Sequence, residues 1–155
     1  MADLNIVNNP DVKQYIGILL GNERFGIDIN YVDNIVRLQR ITRVPKAQDY
    51  FLGVINLRGE IRPVMSLRRK FGLEPDQLGP KTRILILKPE AQATVGFIVD
   101  EVHEVLNISD SEVDHIGNAD EKTTYIYGVG KQGSGLVSIL NVNAVLVDTK
   151  DGMAN

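Results

Sequence analysis

Apolar residues in this chain come in short runs, each broken by glycine, proline or asparagine, and no run keeps the three-to-four spacing of a long helix. Residues 12–20 are rich in β-branched and apolar side chains and end at Gly21-Asn22, a hairpin signal, so 24–29 is predicted as the returning strand. Asn30 is placed to cap one helical turn, with Val32, Ile35 and Val36 at i, i+3 and i+4 on one face. Residues 51–57 are nearly all apolar, break at Arg58-Gly59, and resume over 60–65. Ser66 then caps a short helix through Arg68 to Phe71. Gly72, Pro75, Gly79 and Pro80 mark 72–81 as a joint. Beyond it, strands are predicted at 82–87 and 93–99 around a turn at 89–92. Over 102–108, Val102, Glu104, Leu106 and Ile108 alternate as in a strand, while Val102, Val105 and Leu106 also fit a helix face, and both readings stand. Residues 109–124 read as a long acidic loop with one helical turn. They lead to strands at 125–130 and 134–140 and a helix over 142–147 capped by Asn141. Residues 1–11 and 149–155 read as flexible tails.

The halves 12–71 and 82–148 repeat one another. Ile16, Ile18 and Leu19 recur as Ile84, Ile86 and Leu87 at an offset of 68. At 70, Gly26-Ile27, Ile29, Asn30, Val32, Ile35 and Val36 face Gly96-Phe97, Val99, Asp100, Val102, Val105 and Leu106. At 75, Tyr50, Gly53-Val54, Ile61, Val64, Ser66 and Leu67 face Tyr125, Gly128-Val129, Leu136, Ile139, Asn141 and Val142. Shared glycines and caps in register argue for two copies of one five-stranded unit. Five short strands are too few for a sandwich and suit a small barrel. The expectation is an all-β protein with short helices: one domain over 12–148, made of two related five-stranded barrels of the SH3/OB kind sharing a hydrophobic core.

Composition narrows the function. The 155 residues are 43% hydrophobic and 24% charged, as in an ordinary globular protein. The absence of cysteine excludes disulfides and thiolate metal sites. No signal peptide or bilayer-length apolar run is visible, so a cytoplasmic protein without direct membrane insertion is expected. The net charge of −3 hides an asymmetry: 37–70 holds nine basic and two acidic residues, a net of +7, and the remainder carries −10. His103 and His115 lack metal-ligand spacing. The run from Gly128 to Gly135 lacks P-loop order. Asp110, Glu112 and Asp114 lack the glycine and closing glutamate of an EF-hand. Asp100, Glu101 and Glu104 supply no visible cleft, so no enzyme, metal or cofactor is predicted.

What remains is surface. Arg58 is a planar cation able to grip a carboxylate with two bonds, and Asn56 beside it both donates and accepts. Val32, Ile35 and Val36 suit either a core or a groove for a partner helix. A small barrel that binds single-stranded nucleic acid through the basic 37–70 segment is the rival reading.

The stretch GVINLRGEIRPVMSLRRKFG resembles the signature of the CheW family of bacterial chemotaxis adaptors. FGIDINYVDNIVR, VGFIVDEVHEVL and YIYGVGKQGSGLVSILNVNAVL follow in that family's order, so the likeness spans about residues 12–148. It implies two five-stranded barrels around a shared core, no catalysis and no nucleic acid. It also implies two partners: the cytoplasmic tips of methyl-accepting chemoreceptors and the regulatory domain of the histidine kinase CheA, in membrane-associated arrays. Asn56, Leu57, Arg58 and Gly59 match the family's partner-binding turn. Val32, Ile35, Val36 and the strand carrying Val95, Phe97 and Val99 match places that line its receptor-facing groove. Ser66 stands where the family has Asp, and Asn34 where Glu is common. The chain's length favours the free-standing adaptor over relatives that add a receiver or kinase domains.

Overall fold

The computed structural model describes residues 11–45, 47–88, 94–115, 125–133 and 135–146. In chain order the elements are β1 (Val12–Leu20), β2 (Glu23–Asp28), a 3₁₀ turn (Ile29–Tyr31), β3 (Val32–Arg37), β4 (Phe51–Leu57), β5 (Glu60–Ser66) and the short helix α1 (Leu67–Lys70). Then come β6 (Arg83–Leu87), β7 (Val95–Val99), β8 (Glu101–Ser109), a second 3₁₀ turn (Asp110–Glu112), β9 (Val113–His115), β10 (Ile126–Gln132) and β11 (Gly135–Leu140). A helix, α2, follows over residues 142–146. The chain is therefore all-β with short helices. The predicted tails, the turn at 89–92 and most of the acidic loop lie outside the described residues.

The strands form two sheets, ordered β8-β1-β2-β11-β10-β9 and β3-β6-β7-β5-β4. Each sheet takes strands from both halves of the chain: the hairpin that opens one half is inserted between strands of the other. Six strands assemble in one sheet and five in the other, where the repeat implies five in each, and neither assembly is one half alone. A hairpin pairs locally whichever larger sheet receives it, so sequence spacing does not reveal the exchange.

Strand alternation divides the interior into three clusters. The largest draws on both sheets, with Ile16, Ile18 and Phe25 from the first and Met65, Leu85 and Phe97 from the second. The opposite faces line a smaller cluster in each sheet: Tyr15, Leu106, Ile108 and Ile139 in the first, Ile55, Val64, Ile84, Ile86 and Ile98 in the second. Each sheet curls over its own cluster while both share the large one. Among the described residues neither sheet closes into a full barrel; a bridge between Thr42 and Val54 draws the chain beyond β3 towards β4 at the other edge.

Register makes the duplication exact at the level of pairs. Gly26 lies opposite Ile139 in the parallel pair β2–β11, and Gly96 opposite Val64 in β7–β5. Gly17 faces Gly26 across β1–β2 as Ile86 faces Gly96 across β6–β7. Tyr15, Ile16 and Ile18 meet Leu106, Val105 and Val102, just as Ile84, Leu85 and Leu87 meet Val36, Ile35 and Val32. These pairs correct one sequence alignment: β1 corresponds to β6 one position further along than the match of Ile16 to Ile84 implies. A one-residue slip exchanges the faces of a strand, and Ile16 indeed lies in the shared cluster while Ile84 lies in the second sheet's own.

The repeated glycines have a steric cause. Gly53, at φ +146, sits at the irregularity between Phe51 and Gly53 in β4–β5, and a Cβ there would lie 2.2 Å from the Thr42 carbonyl oxygen. Its counterpart Gly128 sits at the matching irregularity in β10–β11, where a Cβ would lie 2.6 Å from Val113. Both caps form as expected. Ser66 Oγ accepts from Arg69 N at 3.1 Å, and Asn141 Oδ1 accepts from Ala144 N at 3.2 Å.

One local expectation fails. Asn30 does not cap a helix bearing Val32, Ile35 and Val36. Asp28 caps the 3₁₀ turn by accepting from Asn30 N at 2.9 Å, and the chain then extends as β3, because pairing with β6 satisfies more backbone groups than an isolated turn. The ambiguous 102–108 segment is strand β8, paired along β1.

Candidate functional site

The turn between β4 and β5 lies on the edge strand of the second sheet. Leu57 pairs with Glu60, so Arg58 and Gly59 are the two turn residues, at φ +54 and +84. Two successive positive φ values define the turn that matches the natural twist of a hairpin. Asn56 Oδ1 accepts from Gly59 N at 2.9 Å, and Leu57 packs on the second sheet's own cluster. The Asn56 side chain thus holds the turn and the Leu57 side chain anchors it. Arg58 is exposed, with no ion pair among the described residues. Ile61, opposite Asn56 and 61% exposed, adds an apolar neighbour that sequence reading passed over. Its signal is an apolar residue between Glu60 and Arg62 at an outward strand position.

Behind this hairpin a polar clamp ties α1 to both sheets. Arg68 meets Asp100 with two bonds, Nε to Oδ1 at 2.8 Å and Nη2 to Oδ2 at 2.5 Å, and Gly21 N donates to the same Oδ2 at 2.7 Å. The hydrogen bond from Arg68 holds the Asp100 carboxyl below its ordinary range. Ser66, fully buried, donates its hydroxyl to Asp76 Oδ2 at 2.5 Å. Burial pushes the Asp76 carboxyl up, and the bond from Ser66 opposes that shift. A carboxylate therefore stands beside the cap even though residue 66 carries none. Asn34, the other departure from the family pattern, has its side-chain oxygen buried without a partner among the described residues.

The remaining expected contact residues divide. On β3, Ile35 points outward and is 39% exposed, whereas Val32 and Val36 are half-buried, Val32 against the shared cluster and Val36 against the second sheet's own. Val95, Phe97 and Val99 are buried in the shared cluster, Phe97 completely. They are core residues and present nothing to a partner, which corrects their expected place in a groove. β7 is the central strand of its sheet, flanked by β6 and β5, so both of its faces are covered. β3 and β4 stand at opposite edges of the sheet, and Val36 of the one and Leu57 of the other pack on the same cluster.

Among the described residues, three of the nine basic side chains in the 37–70 segment meet carboxylates, and a fourth meets an aromatic ring. Arg62 pairs with Glu60, Arg69 with Asp49 at 2.6 Å, Arg68 with Asp100, and Lys70 lies 4.0 Å above the Tyr50 ring. Phe71 is buried between Phe25 and Tyr125, with ring centroids 5.6 and 5.7 Å away. Tyr50 and Phe51 pack against the same shared cluster, so the aromatic residues of the segment serve the core. Among the described residues no three metal-ligating side chains converge, and no helix is long and apolar enough to cross a membrane.

The described residues thus form two pseudo-equivalent sheets, the second of which carries an exposed, anchored turn on its edge strand. A family model for the CheW-like domain matches residues 14–150. The chemotaxis protein CheW of Helicobacter pylori is 37% identical over 140 residues, covering 90% of this chain and 84% of that protein. That of Bacillus subtilis is 34% identical over 136 residues, covering 86% of each. Among solved structures, the scaffolding protein TtCheW from Thermoanaerobacter tengcongensis has a TM-score of 0.78 at 29% identity, over 87% of this chain and 88% of that one. The chain belongs to the CheW family of chemotaxis scaffold proteins.

Proposed function

We propose that this protein couples the cytoplasmic tips of chemoreceptors to the regulatory domain of the histidine kinase CheA, acting without catalysis in membrane-associated arrays. The observation that carries the reading is Arg58, an always-charged fork with no ion pair among the described residues, held at φ +54 on an anchored turn. A residue whose backbone is kept in a costly conformation and whose charge meets no such partner is a candidate contact for another molecule. Asn56, Leu57 and Gly59 shape the turn, Ile61 extends it, and Ile35 offers a second outward contact on β3. Residues 12–148 act as one unit in this reading, since each sheet needs strands from both halves.

The test is reconstitution with receptor cytoplasmic fragments and the kinase. The wild-type chain should bridge the two, and Arg58→Glu, with an unchanged circular dichroism spectrum, should bind one or both about tenfold more weakly, as for loss of a charge pair at an interface centre. Failure of the wild type to bridge would sink the coupling role. Wild-type affinity of Arg58→Glu for each partner would sink the role given to Arg58.

A further inference from the structure

The two sheets match pair for pair, and one pair breaks the match in a way the fold does not require. In the first sheet Gln14 of β1 faces Asn107 of β8, and their side chains form a hydrogen bond of 3.3 Å. The equivalent pair in the second sheet is Arg83 of β6 opposite Arg37 of β3. Like charges directly opposite on antiparallel strands are unfavourable. Arg62, Arg68 and Arg69 each meet a carboxylate of this chain, but Arg37 and Arg83 meet none among the described residues.

Arg83 is held in place: its Nη1 donates to the carbonyl oxygens of Pro80 at 2.8 Å and Thr82 at 2.9 Å. Thr82 Oγ1 in turn accepts from Gly79 N at 2.9 Å, so the segment beneath the guanidinium is itself fastened. Arg37 and Arg83 both line an open cleft of about 410 Å³, together with Leu38, Pro80 and Thr82. Ile35, 39% exposed, stands two residues before Arg37 on the same outward face of β3. Two guanidinium forks suit a carboxylate, and an adjacent exposed isoleucine adds nothing for an inorganic anion but does for a peptide.

We propose that Arg37 and Arg83 form a carboxylate-binding site for an acidic, partly apolar segment of a protein partner, with Ile35 as its apolar contact. The site rests on the adaptor reading only in that its occupant is a protein. It also distinguishes the second sheet from its near-copy, giving the two ends of the scaffold different partner chemistry.

The test is a titration of the ¹⁵N-labelled full chain with the blocked peptide acetyl-Glu-Leu-Glu-Glu-Leu-Glu-amide, read at the amides of residues 35–38 and 79–83. Saturable shifts confined to these residues and weakened by salt are expected. The R37Q/R83Q double variant should bind about tenfold more weakly, the combined effect of two exposed charge pairs. Absence of saturable shifts, or unchanged peptide affinity in R37Q/R83Q, overturns the proposal. So does inorganic phosphate saturating the site as tightly as the peptide. Failure of the receptor–kinase bridging assay would leave the titration unaffected, so the two readings fail separately.

Discussion

The β4–β5 turn places Arg58 at φ +54, and among the described residues no other non-glycine residue has a positive φ. For an L-residue with a long side chain that conformation lies about 1 kcal/mol above the favoured ones. Asparagine tolerates it better, and Asn-Gly is the preferred pair for this turn. Arg58 forms no ion pair among the described residues, so Arg58→Asn sacrifices no such contact and should stabilise the fold by about 0.5–1 kcal/mol. For a chain of this size that is a rise in melting temperature of about 1–4 °C, measurable by circular dichroism and by a matching shift in urea midpoint. Arg58→Gly relieves the same strain but enlarges the freedom of the unfolded chain by about 0.4–1 kcal/mol, so it should be close to neutral. Both variants should lose affinity for kinase or receptor, separating stability from function at one residue. A lower melting temperature for Arg58→Asn would refute the assigned strain, and undiminished binding would refute the assigned contact.

Two further outcomes follow from backbone geometry and from the clamp. Gly53→Ala should cost about 3 kcal/mol or more, since its Cβ would lie 2.2 Å from the Thr42 oxygen at φ +146. Gly59→Ala, with nothing within 4 Å and φ +84, should cost only about 1 kcal/mol; equal losses in urea melts would contradict the steric account. Asp100 has a folded-state pKa below its ordinary value of 3.8, so its bond to Arg68 contributes fully above that range and is lost as pH falls through it. The acid limb of stability should therefore be shallower in Asp100→Asn than in the wild type. Asp76, pushed up by burial, contributes with the opposite sign, which makes the difference between the two proteins the quantity to measure.

Much of the site was readable locally. Arg58-Gly59 is marked as a turn by composition alone, and the turn carries its own explanation in the Asn56 side chain three residues before Gly59. Ile61 went unnoticed because one exposed apolar residue looks like any other strand residue until its neighbours are placed. Two readings turned on partners distant in sequence. Val95, Phe97 and Val99 form a run that is apolar on both faces, and such a run reads the same whether it borders a groove or fills a core. Val32, Ile35 and Val36 fit a helical spacing by their positions, yet an available strand partner in β6 outweighs that spacing. The Arg37–Arg83 pair is 46 residues apart in sequence, and its like-charge contact exists only once β3 and β6 are in register.

By itself the sequence determined most of the strands, the turns at Gly21-Asn22 and Arg58-Gly59, the caps at Ser66 and Asn141 and the existence of two copies of one unit. These depend on residue period, glycine and short polar side chains, all of which act within a few residues of themselves. Only the tertiary structure decided that the copies exchange hairpins, that β1 aligns with β6 one position beyond the apparent match, and which cations are already paired. Hydrophobic alternation specifies which face of a strand is buried but not which strand lies beside it, and a one-residue slip is settled only when both faces meet their cores.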